Sequence, residues 1–238
     1  MAPEGDWLSD RVLLSVEETH HALHVLRVSP TETICVFDGN GTVARCAMDG
    51  VKDGRLVASI IDKRTEPRPW PEIALYQAAP KGAKLDDIVV RSAELGIAEL
   101  RVFESMRTVV RWRGAKVAQL AARWHGRARA AAKQSRNPFV MRTGPSMTWP
   151  EMLDRIGKEP FVVTLWEDAS TGLRDALPAT AERIAVVVGP EGGFAAEEAE
   201  ALAAAGAALV SLGPRIFRTE MASVAATAAL LWHYRLIG

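Results

Sequence analysis

Val188-Gly189-Pro190-Glu191-Gly192-Gly193-Phe194 places three glycines and a proline within five consecutive residues. The β-branched run Ile184–Val188 before it has the character of a buried strand, and the Ala/Glu-rich stretch Ala195–Ala205 after it reads as a helix. A backbone so poor in side chains can approach a ligand closely. In open α/β sheets, ligands sit beyond the carboxyl ends of the strands, where this loop falls. The segment matches neither G-x-G-x-x-G nor a P-loop ending in Lys-Ser/Thr, so dinucleotide and nucleoside-triphosphate readings lose support. A plain tight turn is the simpler alternative, but it accounts for one Gly-Pro pair more readily than for all of this glycine.

The same arrangement recurs downstream. Ser211-Leu212-Gly213-Pro214-Arg215-Ile216-Phe217-Arg218-Thr219-Glu220-Met221-Ala222 follows a strand expected over Leu209–Leu212 and enters a helix expected over Arg218–Leu236. Two arginines and a glutamate stand at that helix entrance, where Glu220 has the simple role of complementing the helix dipole. Working back toward the N-terminus, strands are expected at Ile73–Ala78, Leu100–Phe103 and Phe161–Leu165. Helices are expected at Leu85–Leu95, ended by Gly96, and at Gly114–Lys133. This alternation from residue 72 onward predicts an α/β domain with a mainly parallel sheet.

Residues before 68 read differently. Ser15 with Glu18 three residues on is a capping-box pattern. Thr33–Phe37, the turn Asp38-Gly39-Asn40-Gly41, and Thr42–Met48 make a hairpin, and Arg55–Ile61 follows the Asp53-Gly54 turn signal. Pro67, Pro69 and Pro71 cannot continue a helix or a central strand and mark the boundary between units spanning 1–68 and 72–238.

With 48% apolar and 24% charged residues the composition is that of an ordinary globular protein. Its apolar runs fall short of the ~18 residues that a membrane span needs. The start Met1-Ala2-Pro3-Glu4-Gly5-Asp6 lacks the basic and apolar regions of a secretory signal, so no membrane partner and a cytoplasmic location are expected. Cys35 and Cys46 lack metal-site spacing and read as reduced thiols. His20 and His24 are spaced i, i+4 but lack the glutamate of H-E-x-x-H and a third ligand, so no metal is expected.

Net charge is zero, but its distribution is uneven. Arg101 to Arg142 contains eleven Lys/Arg against the single acid Glu104, whereas residues 151–206 contain eleven acids against four basic residues. A concentrated cationic stretch is what contact with a phosphate backbone requires, and a solvated helix face is the alternative. Trp124 and Trp166 could stack a base or pack in the core.

The two Gly-Pro segments, in this order, resemble the signature of the RsmE family of SPOUT RNA methyltransferases. The likeness extends over most of the chain. His20-His21-Ala22-Leu23-His24-Val25-Leu26-Arg27 and Phe37-Asp38-Gly39 look like that family's PUA-like domain. Pro80-Lys81-Gly82, Ala93-Glu94-Leu95-Gly96 and Gln134-Ser135-Arg136 look like landmarks of its catalytic domain. The resemblance implies a PUA-like, RNA-binding β-barrel followed by a trefoil-knotted α/β domain. It further implies a homodimer that methylates N3 of a uridine in 16S ribosomal RNA, within the 30S subunit, using S-adenosylmethionine. Cofactor contacts would come from the strand end Leu165-Trp166, from Val188, Gly189, Pro190, Glu191, Gly192 and Gly193, and from Leu212, Gly213, Ile216, Arg218 and Ala222. RNA contacts are expected at His21, Arg27, Lys81, Arg107, Arg111 and Arg136. A non-catalytic RNA-binding assembly protein that keeps the fold is the alternative, and a small-molecule α/β enzyme would leave the cationic stretch without purpose.

The expected chemistry needs few special groups. A sulfonium is already a strong leaving group, so the protein mainly orients the reactants. Uracil N3 must lose a proton, and a cation near O2 or O4 would stabilise the developing anion. Arg218 is the candidate for that role, with a phosphate or dimer contact as the alternative. Glu220 could orient Arg218 or accept the proton, and Thr219 could position either. The chain departs from the family pattern at Met221, Ala195, Ala130 and Met106. Ala195 in particular cannot cap the helix it precedes, a loss of ~1 kcal/mol.

Overall fold

A computed structural model describes residues 6–238. The chain divides into two compact units, one of residues 1–68 with 136–140, the other of 69–135 with 141–238. Whereas the prolines suggest a single cut between 68 and 72, the chain also returns to the first unit after residue 135. The reason is local. Gly41 sits at φ +103°, and a Cβ there would come within 2.6 Å of the Phe139 ring, so only glycine leaves room for that aromatic. Val140 N donates to Gly39 O at 2.9 Å and Gly41 N to Pro138 O at 3.2 Å, which pairs the returning segment with the hairpin turn.

The first unit is an antiparallel five-stranded sheet of β1 (Asp6–Trp7), β2 (Arg11–Leu13), β3 (Thr33–Phe37), β4 (Thr42–Lys52) and β5 (Arg55–Thr65), in spatial order β1-β2-β5-β4-β3. The turn predicted between β3 and β4 forms because Asp38 Oδ1 accepts from Asn40 N at 2.7 Å and Thr42 N at 2.9 Å. Helix α1 (Val16–His20) begins where Ser15 Oγ accepts from Glu18 N at 3.2 Å, and it continues into a π-helical turn over His21–Val25. Both β4 and β5 outrun the expected strands. The short β1 and β2, with only two and three residues, gave no readable alternation. The core of this unit is Val12, Leu14, Val36, Ala44, Cys46, Leu56 and Ala58, and burial pushes the Cys46 thiol up to about 11, keeping it a neutral packing residue.

The second unit is a wholly parallel sheet of β6 (Glu72–Ala78), β7 (Glu99–Phe103), β8 (Val162–Leu165), β9 (Arg183–Val188) and β10 (Ala207–Val210), ordered β10-β8-β9-β6-β7. Helices α2 (Lys84–Glu94), α3 (Ala115–Ser135), α4 (Trp149–Ile156), α5 (Leu173–Ala176), α6 (Ala196–Ala204) and α7 (Thr219–His233) connect the strands, and α2 packs on α3 and α7. Two expectations need correction. Strand β10 lies two residues earlier than Leu209–Leu212, because Gly206, at φ +94°, ends α6 and the following alanines pair with β8. Helix α4 was not anticipated, although Thr148 and Glu151 carry the capping signal, with Thr148 N and Oγ1 on Glu151 Oε2 at 2.7 and 2.8 Å.

The amino ends of these strands are tied by charge. Glu99, 3% exposed, accepts from Arg101 and Arg183 at 2.5 Å each and from Arg155 at 2.7 Å. Arg183 also reaches Glu72 at 3.0 Å and Glu159 at 2.7 Å, and Tyr76 Oη donates to Glu159 at 2.7 Å. Burial opposes ionisation of Glu99, but the Arg101 and Arg183 guanidinium groups hold its carboxyl below the usual range. A depressed carboxyl contributes stability that is present above the unfolded-state value and lost as pH falls through the folded one. Glu99→Gln should therefore lower the unfolding free energy near pH 7 by on the order of 3 kcal/mol, since it leaves buried guanidinium groups short of a counter-charge. Urea melts from pH 7 down to pH 3 should show the variant losing less further stability with acid than the parent does. Parallel curves would show that Glu99 is not a significant contributor to the acid sensitivity.

Candidate functional site

Parallel pairing of β8 with both β9 and β10 ends three strands at one edge, and the loops that leave them enclose a cavity of about 660 Å³. That volume is within the ~300–1,000 Å³ typical of small-molecule sites. All the residues expected at the cofactor site line it except Gly192: Leu165 and Trp166 after β8, Val188 to Glu191 and Gly193 after β9, and Leu212, Gly213, Ile216, Arg218 and Ala222 after β10. Glu167, Asp168 and Ser211, which the sequence reading did not single out, line it as well. The two Gly-Pro bends therefore line one space.

Glycine is required at particular points of these walls. Gly193 has φ +64°, and a Cβ there would stand 3.1 Å from the Glu167 carboxylate. A Cβ on Gly189 would press on Gly193 and the Phe194 ring at 3.3 Å. Phe194 itself is buried and stacks on Phe103 at 6.4 Å between centroids, which anchors the loop's far end in the core. Ala195 cannot supply a cap, but Glu198 partly compensates. Its buried carboxylate accepts from Ala195 N at 3.0 Å and from Met106 N at 2.7 Å, joining the helix entrance to the loop after β7.

The walls are held together by a buried polar cluster. Thr219 Oγ1 donates to Gly189 O at 2.6 Å and accepts from Gln77 Nε2 at 2.9 Å, while Ser223 Oγ lies 2.5 Å from Gln77 Oε1. Thr219, 5% exposed, is thus a latch between the two loops, although it touches the cavity wall. Arg218 precedes α7, and its carbonyl accepts from Met221 N and Ala222 N at 2.8 Å. Its side chain is exposed at the cavity and, among the described residues, no carboxylate pairs with it.

Glu220 lies elsewhere. It does not line the cavity, and its Oε2 is 3.4 Å from Lys84 Nζ. Lys84 also donates to Glu191 Oε1 at 2.9 Å, and Lys81 N donates to the same oxygen at 3.0 Å. Burial raises the cost of charging Glu191, but Lys84 and these amides hold its carboxyl below the ordinary range. Lys84 therefore bridges acids from the glycine loop and from the start of α7.

Much of the cationic stretch is answered inside the fold by acids that lie mostly outside that stretch. Arg123 and Arg127 pair with Asp86, Arg113 and Arg111 with Glu104, and Arg101 and Arg142 with Glu99. Arg107 is exposed and donates to Gly192 O at 2.6 Å, so it stands on the glycine loop beside the exposed Lys81 segment. His21, Arg27 and Arg136 belong to the first unit, where Arg27 and Arg136 are exposed and adopt positive φ. Trp166 lines the cavity, whereas Trp124 is buried against Trp112 and cannot stack a base. His20 and His24 are exposed neighbours with rings 4.8 Å apart. Met106, Met221 and Ala130 all face solvent.

A family model described as an RNA methyltransferase domain matches residues 66–231, and one described as an RNA methyltransferase PUA domain matches residues 14–61. Fold and site together define an α/β RNA methyltransferase with a PUA-like N-terminal unit. The ribosomal RNA small subunit methyltransferase E of Mycobacterium tuberculosis is 33% identical over 218 residues, covering 90% of this chain and 83% of that one. Its Bacillus subtilis counterpart is 29% identical over 230 residues, covering 93% and 90%. A solved structure of the enzyme of that name from Neisseria gonorrhoeae, bound to S-adenosyl methionine, superposes with a TM-score of 0.86 at 31% identity, covering 97% of this chain and 94% of that one. The chain belongs to the ribosomal RNA small subunit methyltransferase E family.

Gly193→Ala should cost ~1–2 kcal/mol for the left-handed backbone alone, with the Glu167 contact added. A chemical-denaturation midpoint equal to the parent's would mean that the loop relaxes freely and that glycine is not required there.

Proposed function

We propose that this protein transfers the methyl group of S-adenosylmethionine to N3 of a uridine in 16S ribosomal RNA. The observation that carries the reading is the cavity itself: two Gly-Pro loops line one space sized for a small molecule, together with an exposed arginine that no carboxylate pairs with among the described residues. The residues fit the cofactor. Backbone groups of Gly189–Gly193 and Leu212–Arg218 offer donors and acceptors for a nucleoside, Trp166 and Leu165 an apolar wall, and Glu167 and Asp168 negative charge toward a cation. Bound there, S-adenosylmethionine supplies an electrophilic methyl on a positive sulfur with a neutral thioether as leaving group.

The protein's own work is orientation and charge. Arg218 sits where negative charge gathers on uracil O2 or O4 as N3 loses its proton to solvent water, and a fixed cation lowers that cost without reorganising. Glu220 faces Lys84 at 3.4 Å and does not line the cavity beside Arg218. Thr219 positions Arg218 rather than taking part in proton transfer, and Glu220 is read as acting through Lys84. Lys81, Arg107 and Arg111 around the glycine loop, with His21, Arg27 and Arg136 on the N-terminal unit, supply phosphate contacts.

The same reading takes residues 1–68 as the RNA-gripping barrel and 72–238 as the knotted catalytic domain. The substrate is the assembled 30S subunit in the cytoplasm. A homodimer is supported by the outward face of α7, where Met221 and Trp232 are exposed, and by the nearby Ile216, 86% exposed. Among the described residues, no helix is long and apolar enough to cross a membrane.

Arg218→Ala should bind S-adenosylmethionine within a few fold of the parent by calorimetry while losing ~10²–10³-fold in methyl transfer to 30S particles. Unchanged turnover would refute the assigned role. Mapping the modified base by mass spectrometry tests the position, and a methyl group anywhere but uridine N3 would overturn that part.

A further inference from the structure

Gln77 is an anomaly in its strand. Its neighbours Leu75, Tyr76 and Ala78 are fully buried, as is Gln77 itself, at 0% exposure. A primary amide withdrawn from water is costly unless its donors and acceptor are all engaged. One bond is local, from Nε2 to Ala78 O at 2.9 Å. The others leave the strand for the two segments that wall the cavity: Ser223 Oγ at 2.5 Å and Thr219 Oγ1 at 2.9 Å, with Gly189 O a weaker contact at 3.4 Å because the two Nε2 hydrogens already serve Ala78 O and Thr219 Oγ1. A buried amide needed only for packing would not collect its partners from both walls.

The bonds also have a direction. Ser223 Oγ lies closer to Gln77 Oε1, at 2.5 Å, than to Thr219 O, at 3.0 Å, so its one hydrogen goes to Oε1, which turns Nε2 toward Thr219. An amide nitrogen can only donate, so Thr219 Oγ1 must accept from it and is left with its own hydrogen for Gly189 O, at 2.6 Å. The sequence of donors is therefore Ser223 to Gln77, Gln77 to Thr219, Thr219 to Gly189. It starts one helical turn inside α7 and ends on the first residue of the glycine loop. Arg218 is covalently next to Thr219, and its own carbonyl is held by Met221 N and Ala222 N. The Cα from which the Arg218 side chain extends is consequently fixed from both sides.

We propose that Gln77 is a positioning residue for the methyl transfer: through Thr219 it sets the register of the first turn of α7 against the glycine loop and so places Arg218 over the reacting base. This rests on the functional reading above. Gln77 is buried and does not line the cavity, so its action is by geometry, where a displacement of ~1 Å is worth about 10²-fold in rate.

The test uses the full-length protein with 30S particles. Gln77→Met keeps the length and apolar packing, and Gln77→Glu keeps the shape while replacing the donor nitrogen by oxygen. Both should lower kcat by roughly 30- to 100-fold while the calorimetric Kd for S-adenosylmethionine and the KM for 30S move only a few fold. Thr219→Ser, which keeps the hydroxyl, should retain most of the parental kcat, whereas Thr219→Val should resemble Gln77→Met. This pair decides the matter even if a Gln77 variant fails to fold. Amide hydrogen exchange reads the clamp without turnover, and protection of residues 189–193 and 218–223 should drop in Gln77→Met and Thr219→Val. A parental kcat in Gln77→Met, a loss found wholly in Kd, equal kcat for the two Thr219 variants, or unchanged exchange in both segments would each overturn the proposal. A parent protein that shows this exchange pattern in its variants but methylates no ribosomal RNA would sink the functional reading and leave the clamp standing.

Discussion

Parallel hydrogen bonding of β8 to β9 on one side and β10 on the other is the constraint on which the site depends. Parallel strands all point the same way, so pairing them delivers their carboxyl ends, and the loops that follow, to a single edge. The segments at 165–168, 188–193 and 210–218 are far apart in the chain, yet they become the lining of one cavity for this reason alone. The glycines then serve a second purpose. A Cβ at 189 would press on Gly193 and the Phe194 ring within the same loop, and one at 193 would crowd the Glu167 carboxylate from the loop after β8.

Charge is divided between the two edges of this sheet. At the amino edge Glu72, Glu99 and Glu159 are answered by Arg101, Arg142, Arg155 and Arg183 in a partly buried network that ties β6, β7 and β9. At the carboxyl edge no carboxylate among the described residues pairs with Arg218, and Lys84 lies between Glu191 of the glycine loop and Glu220 of α7. Stability is thus placed where carboxylates and guanidinium groups are desolvated together, and the proposed role of Arg218 draws on a cation without such a partner. The same division explains why a run of eleven basic residues is a weaker guide to RNA contact than it looks. Asp86, Glu99 and Glu104 engage much of it, and Arg107 earns its place at the site through Gly192 rather than through the length of the run.

Secondary structure was legible where periodicity was strong. Leu85–Leu95, Gly114–Lys133 and Ile184–Val188 were each found within two residues of their expected ends, because long amphipathic helices and buried β-branched runs leave clear patterns. The strand start at 207–208 was not legible, since alanine has little β-propensity of its own and pairs here because the edge of β8 is available. The α4 helix was missed for the opposite reason: its capping box was present, but the helix is only eight residues long. The return of residues 136–140 to the first unit left no signal in sequence, since it depends on a ring finding space above a glycine.

The amino-acid sequence alone determined the fold class, the two Gly-Pro loops and the arginine beside the second of them, because these are properties of local chemistry: backbone freedom, periodicity and a family-like order of short motifs. Tertiary structure alone decided which of the residues near Arg218 face the cavity. It turned Glu220 to Lys84, made Thr219 a latch and brought Gln77, more than a hundred residues away, into contact with both walls. Such roles belong to pairs of groups within hydrogen-bond distance, and that distance exists only after the strands have paired.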